Sequence, residues 1–218
     1  SPNRLNLATV IGLSKWLGRF KIETNVAHQF IEDAGSVSGE PTIKYSKLSP
    51  YFGMSVIPFK SQPLHLRTFY KHAFRMPSFN DLYYNFIGNI DLNPEEAHLT
   101  NVGMTYSQWY GGDKVNLDEG LKIEMSLDGY YNYAKNKIVA IPTKDLFNWS
   151  MQNIGITEAL GIEFALMLQK STPSWKYGFS MQQSINKTVD ITDEFSPTFG
   201  HQIPYTPRYT ANYSANIS

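Results

Sequence analysis

Apolar and polar residues alternate strictly along much of this chain, a pattern that suits a β-sheet and little else. From Leu121 to Asp128 every odd residue is apolar and every even one polar. The same beat runs through Trp175–Gln182 and Tyr209–Ile217, and from Phe20 to Phe30. A strand turns successive side chains to opposite faces, so each stretch has one oily and one wet side. Helical spacing of comparable length is absent, although Ser78–Asn85 suits a short turn of helix. The reading is all-β, with nine strands near 3–16, 19–32, 49–58, 64–75, 98–110, 120–134, 158–169, 175–187 and 207–217.

Strand length separates two architectures. Strands of globular proteins are typically about 5–6 residues, whereas a tilted strand crossing a bilayer needs ~9–11. Most of the nine belong to the longer class. The links between them, near 17–18, 33–48, 59–63, 76–97, 111–119, 135–157, 170–174 and 188–206, read as alternately short and long. Short turns on one side and long loops on the other are the habit of antiparallel barrels in outer membranes. Composition agrees. Aromatics make up 14% of the chain and charged residues only 17%, a mix suited to surfaces where hydrocarbon meets water. No run approaches the ~18 apolar residues of a membrane helix, so a membrane role must use strands. The expected fold is an antiparallel up-and-down transmembrane β-barrel segment. Its polar faces (Lys122, Glu124, Ser126, Asp128; Lys176, Ser180, Gln182) would turn to the lumen. Its apolar faces (Leu121, Ile123, Met125, Leu127; Ile162, Phe164, Leu166, Leu168) would meet outer-membrane lipid. Both ends fall inside strand patterns, so residues 1–218 are expected to be one incomplete domain. A soluble β-sandwich binding module, for carbohydrate as an example, would pack the same apolar faces against each other. Alternation alone does not separate the two.

Several chemistries find no residues to carry them. Lys plus Arg equals Asp plus Glu at 19 each, with no basic block, which argues against a nucleic-acid partner. The chain has no cysteine, so disulfides, thiolate metal sites and cysteine nucleophiles are out. His28, His65, His72, His98 and His201 lack metal-ligand spacing and are expected at the lumen or rim. Asp190, Asp193 and Glu194 form an acidic group without the pattern of a calcium loop. Glu124 and Asp128 share a face, as any residues an even number apart on a strand do, and no nucleophile elbow or phosphate loop accompanies them. Neither an enzyme nor a cofactor is expected.

One ordered series of short motifs is more specific. Phe74-Arg75-Met76-Pro77-Ser78-Phe79-Asn80-Asp81-Leu82-Tyr83-Tyr84 leads through Gly88-Asn89 and Leu92-Asn93-Pro94-Glu95 to Asn101-Val102-Gly103. Asp128-Gly129-Tyr130-Tyr131, Asn153-Ile154-Gly155, Gly161-Ile162-Glu163 and Pro204-Tyr205-Thr206-Pro207-Arg208 follow. From about residue 64 onward this series resembles the barrel of TonB-dependent outer-membrane receptors. The first sixty residues match in strand character only. The resemblance implies a barrel of about 22 strands whose lumen an N-terminal plug closes. It implies uptake of a scarce, bulky nutrient, an iron–siderophore complex or cobalamin, energised by the TonB complex. The plug that contacts TonB is not in this chain.

Within the motif, Arg75, Pro77, Asp81, Asn89, Pro94 and Glu95 are read as structural. Pro77 must leave the ladder, Gly88-Asn89 suits a turn at positive φ, and Arg75 can face Glu95 across the loop ends. Seven rings on the long links, Tyr83, Tyr84, Phe86, Phe147, Trp149, Phe195 and Phe199, are the candidates for gripping a small-molecule nutrient ligand by stacking.

Overall fold

The computed structural model describes residues 3–34, 43–111, 119–143, 148–203 and 206–218. They form one sheet of nine strands in chain order, each antiparallel to the next. The strands are β1 (Asn3–Leu17), β2 (Phe20–Ala34), β3 (Ile43–Val56), β4 (Leu64–Arg75), β5 (Glu95–Tyr110), β6 (Gly120–Pro142), β7 (Trp149–Ser171), β8 (Lys176–Asp190) and β9 (Tyr209–Ile217), with one short helix, α1 (Phe79–Tyr83). All nine expected strands are present.

The register sorts the side chains as the alternation requires. Leu127 stands opposite Met104 and Phe164, Met125 opposite Tyr106 and Leu166, and Ile123 opposite Leu168. The same rows continue to Met181 and Phe179 on β8 and to Tyr213 and Ala215 on β9. One face is thus an apolar band, and Gln183, a polar residue within it, donates to the Tyr213 hydroxyl at 2.7 Å. The opposite face carries polar pairs between neighbouring strands, Ser107 with Glu124, Ser180 with Ser214 and Ser184 with Thr210, and Arg67 of β4 reaches across Gly103 of β5 to Asp128 of β6 at 2.7 Å. Such pairs are the unit of sheet stabilisation.

The polar face is concave. Arg4 on β1 forms a paired contact with Asp33 at 2.6 Å, then donates to the Pro77 carbonyl at 2.8 Å. Its guanidinium also lies 5.0 Å from the centre of the Phe79 ring. Pro77 and Phe79 follow β4, three strands away, and a flat sheet would keep them out of reach. The segment after β4 therefore folds inward over the polar side.

The packed core sits there too. The buried apolar side chains are Ile31, Leu92, Ile138, Val189 and Ile203, joined by Pro77 and Thr157. All belong to the end of the sheet where β2–β3, β4–β5, β6–β7 and β8–β9 connect. Along the band, by contrast, Val102, Leu160, Ile162 and Ile185 are more than half exposed. The other end is plain: β1 and β2 join through Gly18-Arg19, with Gly18 at φ 65° as a two-residue hairpin turn demands.

Three expectations are corrected. The β5–β6 link (111–119) is longer than the β6–β7 link (143–148), so short and long links do not alternate throughout. β6 and β7 instead climb as a ladder to Pro142 and Trp149, through residues read as loop. There the two-residue pattern relaxes while the backbone pairing continues. Gly88 is not among the positive-φ glycines; Phe86, at φ 69°, takes the left-handed conformation. Gly88 is small for another reason: a Cβ there would lie 2.7 Å from the Leu82 carbonyl oxygen and the Tyr84 nitrogen. Finally, His28, His72 and His98, expected at the lumen or rim, share the face of the apolar band, opposite Leu48, His98 and Tyr133 in register, which overturns the lumen and leaves the rim.

Candidate functional site

The β4–β5 connection is the most elaborate part of the molecule, and ordinary capping chemistry builds it. Ser78 caps α1: its hydroxyl accepts from the Asp81 N–H at 3.2 Å, and Asp81 accepts from the Ser78 N–H at 2.8 Å. This reciprocal box satisfies two orphan donors at once. Arg75, closing β4, donates two bonds to Glu95 at 2.8 and 2.9 Å and a third to Asp81 at 3.1 Å. Glu95 opens β5 and also accepts from the Ile138 N–H at 2.6 Å. The loop is thereby closed at its neck and tied to β6.

The electrostatics follow from this wiring. Burial acts most strongly on Asp81 and opposes ionisation, yet the Ser78 N–H and hydroxyl and the Arg75 guanidinium hold its carboxyl below the usual carboxylate range. Burial likewise opposes ionisation of Glu95, and Arg75 with the Ile138 N–H outweighs it. Arg75 is driven upward, first by its bonds to Glu95.

The far side of the loop is sewn to the β6–β7 hairpin. Asn89 donates to the Met151 carbonyl at 3.0 Å, and the Met151 N–H donates to the Ile87 carbonyl at 2.7 Å. Asn153 accepts from the Asn93 N–H and donates to the carbonyls of Asn93 and Asn136. Pro94 stands half-buried immediately before β5. Of the six motif residues, Arg75, Asp81, Asn89 and Glu95 thus make side-chain bonds within this network, and Pro77 contributes its carbonyl and its burial.

Between the loop and the hairpin lies a cavity of about 820 Å³ lined by Phe79, Tyr83, Tyr84, Phe86, Ile87 and Trp149, with the three asparagines Asn80, Asn85 and Asn148 around them. Four of the seven rings singled out from the sequence therefore meet in one place. Trp149 reaches it as the first residue of β7 and not from a link. Tyr84 is 59% exposed and Phe86 wholly so. A bulky residue at positive φ is an outlier that the surroundings must hold in place; here it turns an aromatic ring outward. Phe195 and Phe199 lie on the β8–β9 connection and do not line this cavity. Phe147 lies outside the described residues. Phe79 and Ile87 were missed as lining residues: Phe79 is within the motif, and its proximity to Tyr83, with ring centres 6.1 Å apart, depends on the helix. The acidic loop residues are turned to local use, with Asp190 accepting from the Thr192 N–H and Asp193 from the Phe195 N–H. Among the described residues no group of three His, Cys, Asp or Glu is placed to hold a metal ion.

Comparison with known proteins agrees with this architecture. The FrpB iron transporter of Neisseria meningitidis (F3-3 variant) superposes with a TM-score of 0.61 at 16% identity, over 98% of this chain and 30% of that one. The copper transporter OprC gives 0.66 at 15% identity, over 95% and 31%. A double mutant of the Serratia marcescens hemophore receptor HasR, in complex with its hemophore HasA and heme, gives 0.64 at 15% identity, over 99% and 41%. The chain thus spans between about a third and two fifths of these structures. Residues 14–217 match the family model described as TonB dependent receptor-like, beta-barrel, a reach well upstream of the motif series. This chain belongs to the TonB-dependent receptor β-barrel family, which resides in the bacterial outer membrane.

Proposed function

We propose that this chain is part of the wall and outer mouth of an active-uptake receptor for a scarce, bulky nutrient. The observation that carries this reading is the aromatic cavity of Tyr83, Tyr84, Phe86 and Trp149, held open by the Arg75–Glu95–Asp81 neck. Exposed rings on a braced frame suit a ligand with a large, partly apolar surface, each ring adding about 1 kcal/mol by stacking or edge contact. The solved relatives are described as an iron transporter, a copper transporter and a receptor with heme. That favours a metal-bearing cargo, an iron–siderophore complex ahead of cobalamin. Energy would come from TonB through a plug supplied by the remainder of the receptor, and the chain contributes no catalysis.

Growth rescue of metal-starved cells carrying the complete receptor, with ferric siderophores, heme and cobalamin in turn, identifies the cargo. Binding of that cargo to whole cells is then measured for the Tyr84→Ala/Trp149→Ala double variant. Two rings at ~1 kcal/mol each predict a loss of at least tenfold. Affinity within twofold of the parent at normal surface expression would show that these rings serve the loop and bind nothing.

A further inference from the structure

The ladder is interrupted between β3 and β4. β3 pairs with β2 along its whole length, and β4 pairs with β5 along its whole length. Between β3 and β4 the pairing runs only from Val56↔Leu66 to Tyr51↔Lys71. Beyond that point, towards the mouth, residues 43–50 and 72–75 both remain in strands. Among the described residues neither edge pairs with the other.

Pro50 accounts for the break. In an antiparallel strand the N–H and C=O of alternate residues face alternate neighbours. The Leu48 carbonyl faces β4, where His72 Nδ1 donates to it at 3.2 Å. The Tyr51 carbonyl faces β2, where the Thr24 hydroxyl donates to it at 3.1 Å. Even-numbered positions of β3 thus face β4, and Pro50 is the next of them after the paired Phe52↔Tyr70. It has no N–H to give, so the ladder stops and the outer part of β3 becomes an edge strand. The outer-face residues at this level are His72, His98, Glu96 and Lys135, past the apolar band. That position keeps the bare N–H and C=O groups of the seam out of hydrocarbon.

Side chains alone lace the seam. On the outer face His72 holds Leu48, and Lys47 reaches past β4 to Glu96 of β5 at 2.6 Å. On the concave side Arg4 donates to the Pro77 carbonyl at 2.8 Å. A few partly exposed ties constrain a wall far less than a continuous ladder does.

We propose that the β3–β4 seam is a hinge in the barrel wall, above which β1–β3 swing as a panel against β4. Arg4 belongs to that panel and lies over Phe79, which lines the aromatic cavity. The swing therefore changes the width of the cavity. The hinge is a property of the wall and stands apart from the identity of the cargo.

The test uses the complete receptor in lipid vesicles, with spin labels placed in pairs on exposed outer-face positions of β1 and β6. Leu7/Lys135 spans the wall beyond the hinge, and Leu17/Leu127 spans it within the continuous ladder. The distance distribution of the first pair should be about twofold broader than that of the second. Pro50→Val supplies the missing donor and should narrow the first distribution to the width of the second. Equal widths in the parent overturn the hinge, and so does a broad first distribution that survives Pro50→Val. Should Pro50→Val fail to assemble, residue-resolved amide exchange of the parent decides. The N–H groups of Ser46 and Leu48 face the seam and should exchange about tenfold faster than those of Tyr45 and Lys47, which face β2. Equal protection of the two sets overturns the seam.

Discussion

The two ends of this sheet are held by different means. Towards the β1–β2, β3–β4, β5–β6 and β7–β8 turns, the structure is backbone ladder and little more: long strands, exposed faces and a tight turn at Gly18. Towards the other end, side chains take over. The buried apolar residues gather there, and Arg75, Asp81, Glu95, Asn89 and Asn153 wire a loop to two strands and a hairpin. The difference follows from solvent. In a transmembrane barrel, lipid imposes a pattern on the wall and supplies the apolar surroundings that a core would otherwise provide. The mouth stands in water and must bring its own core.

That contrast can be broken most decisively in the band. Leu127 lies midway along the apolar rows of β6, opposite Met104 and Phe164. Leu127→Arg should destabilise the receptor by about 2–4 kcal/mol, the cost of a cation near the bilayer midplane. Ser126→Arg, one residue away on the polar face, should be nearly neutral. Reversible folding into lipid vesicles measures both, and equal costs would mean that the faces are reversed or that no lipid meets this wall.

At the mouth the effect should be smaller and local. Arg75→Ala removes three charge-assisted bonds and leaves two carboxylates without their cation, a loss of about 1.5–3 kcal/mol. It should appear as rapid protease cutting within 76–94, with the unheated barrel migrating as before. Collapse of the whole barrel would show that wall and mouth share one stability after all.

Acid should sharpen the same distinction by a still milder route. The Asp81 and Glu95 carboxyls are held below their ordinary values, so their bonds stabilise the folded loop at all pH above the unfolded carboxylate range. That contribution fades as pH falls through the lowered values. Protection of 76–94 should be constant from neutrality to about pH 5, decline below about pH 4, and show no such decline in a Glu95→Gln/Asp81→Asn variant.

The sequence was legible where lipid wrote the pattern. All nine strands and both faces followed from alternation, because a one-residue slip would carry every apolar side chain to the wet side. Legibility failed above the bilayer. Residues 135–142 alternate poorly and were read as loop, yet they pair with β7 as far as Pro142. In the site, the facing of Arg75 and Glu95 was visible in the motif, but the meeting of Trp149 with Tyr83 and Tyr84 was not. It depends on Asn89 and Ile87 bonding to Met151, contacts that span about sixty residues of chain and leave no periodic trace.

The contact from Arg4 to Pro77 and Phe79 makes the mouth a gauge of the wall's curvature. It spans the arc from β1 to the end of β4 like a string across a bow. A wall that flattens lengthens the arc's chord and draws the tie, so the segment carrying Phe79 and α1 must shift or the tie must release. While it holds, the first strand and the loop after the fourth cannot move independently, and any force that bends the wall is felt at the aromatic cavity without passing through the lumen.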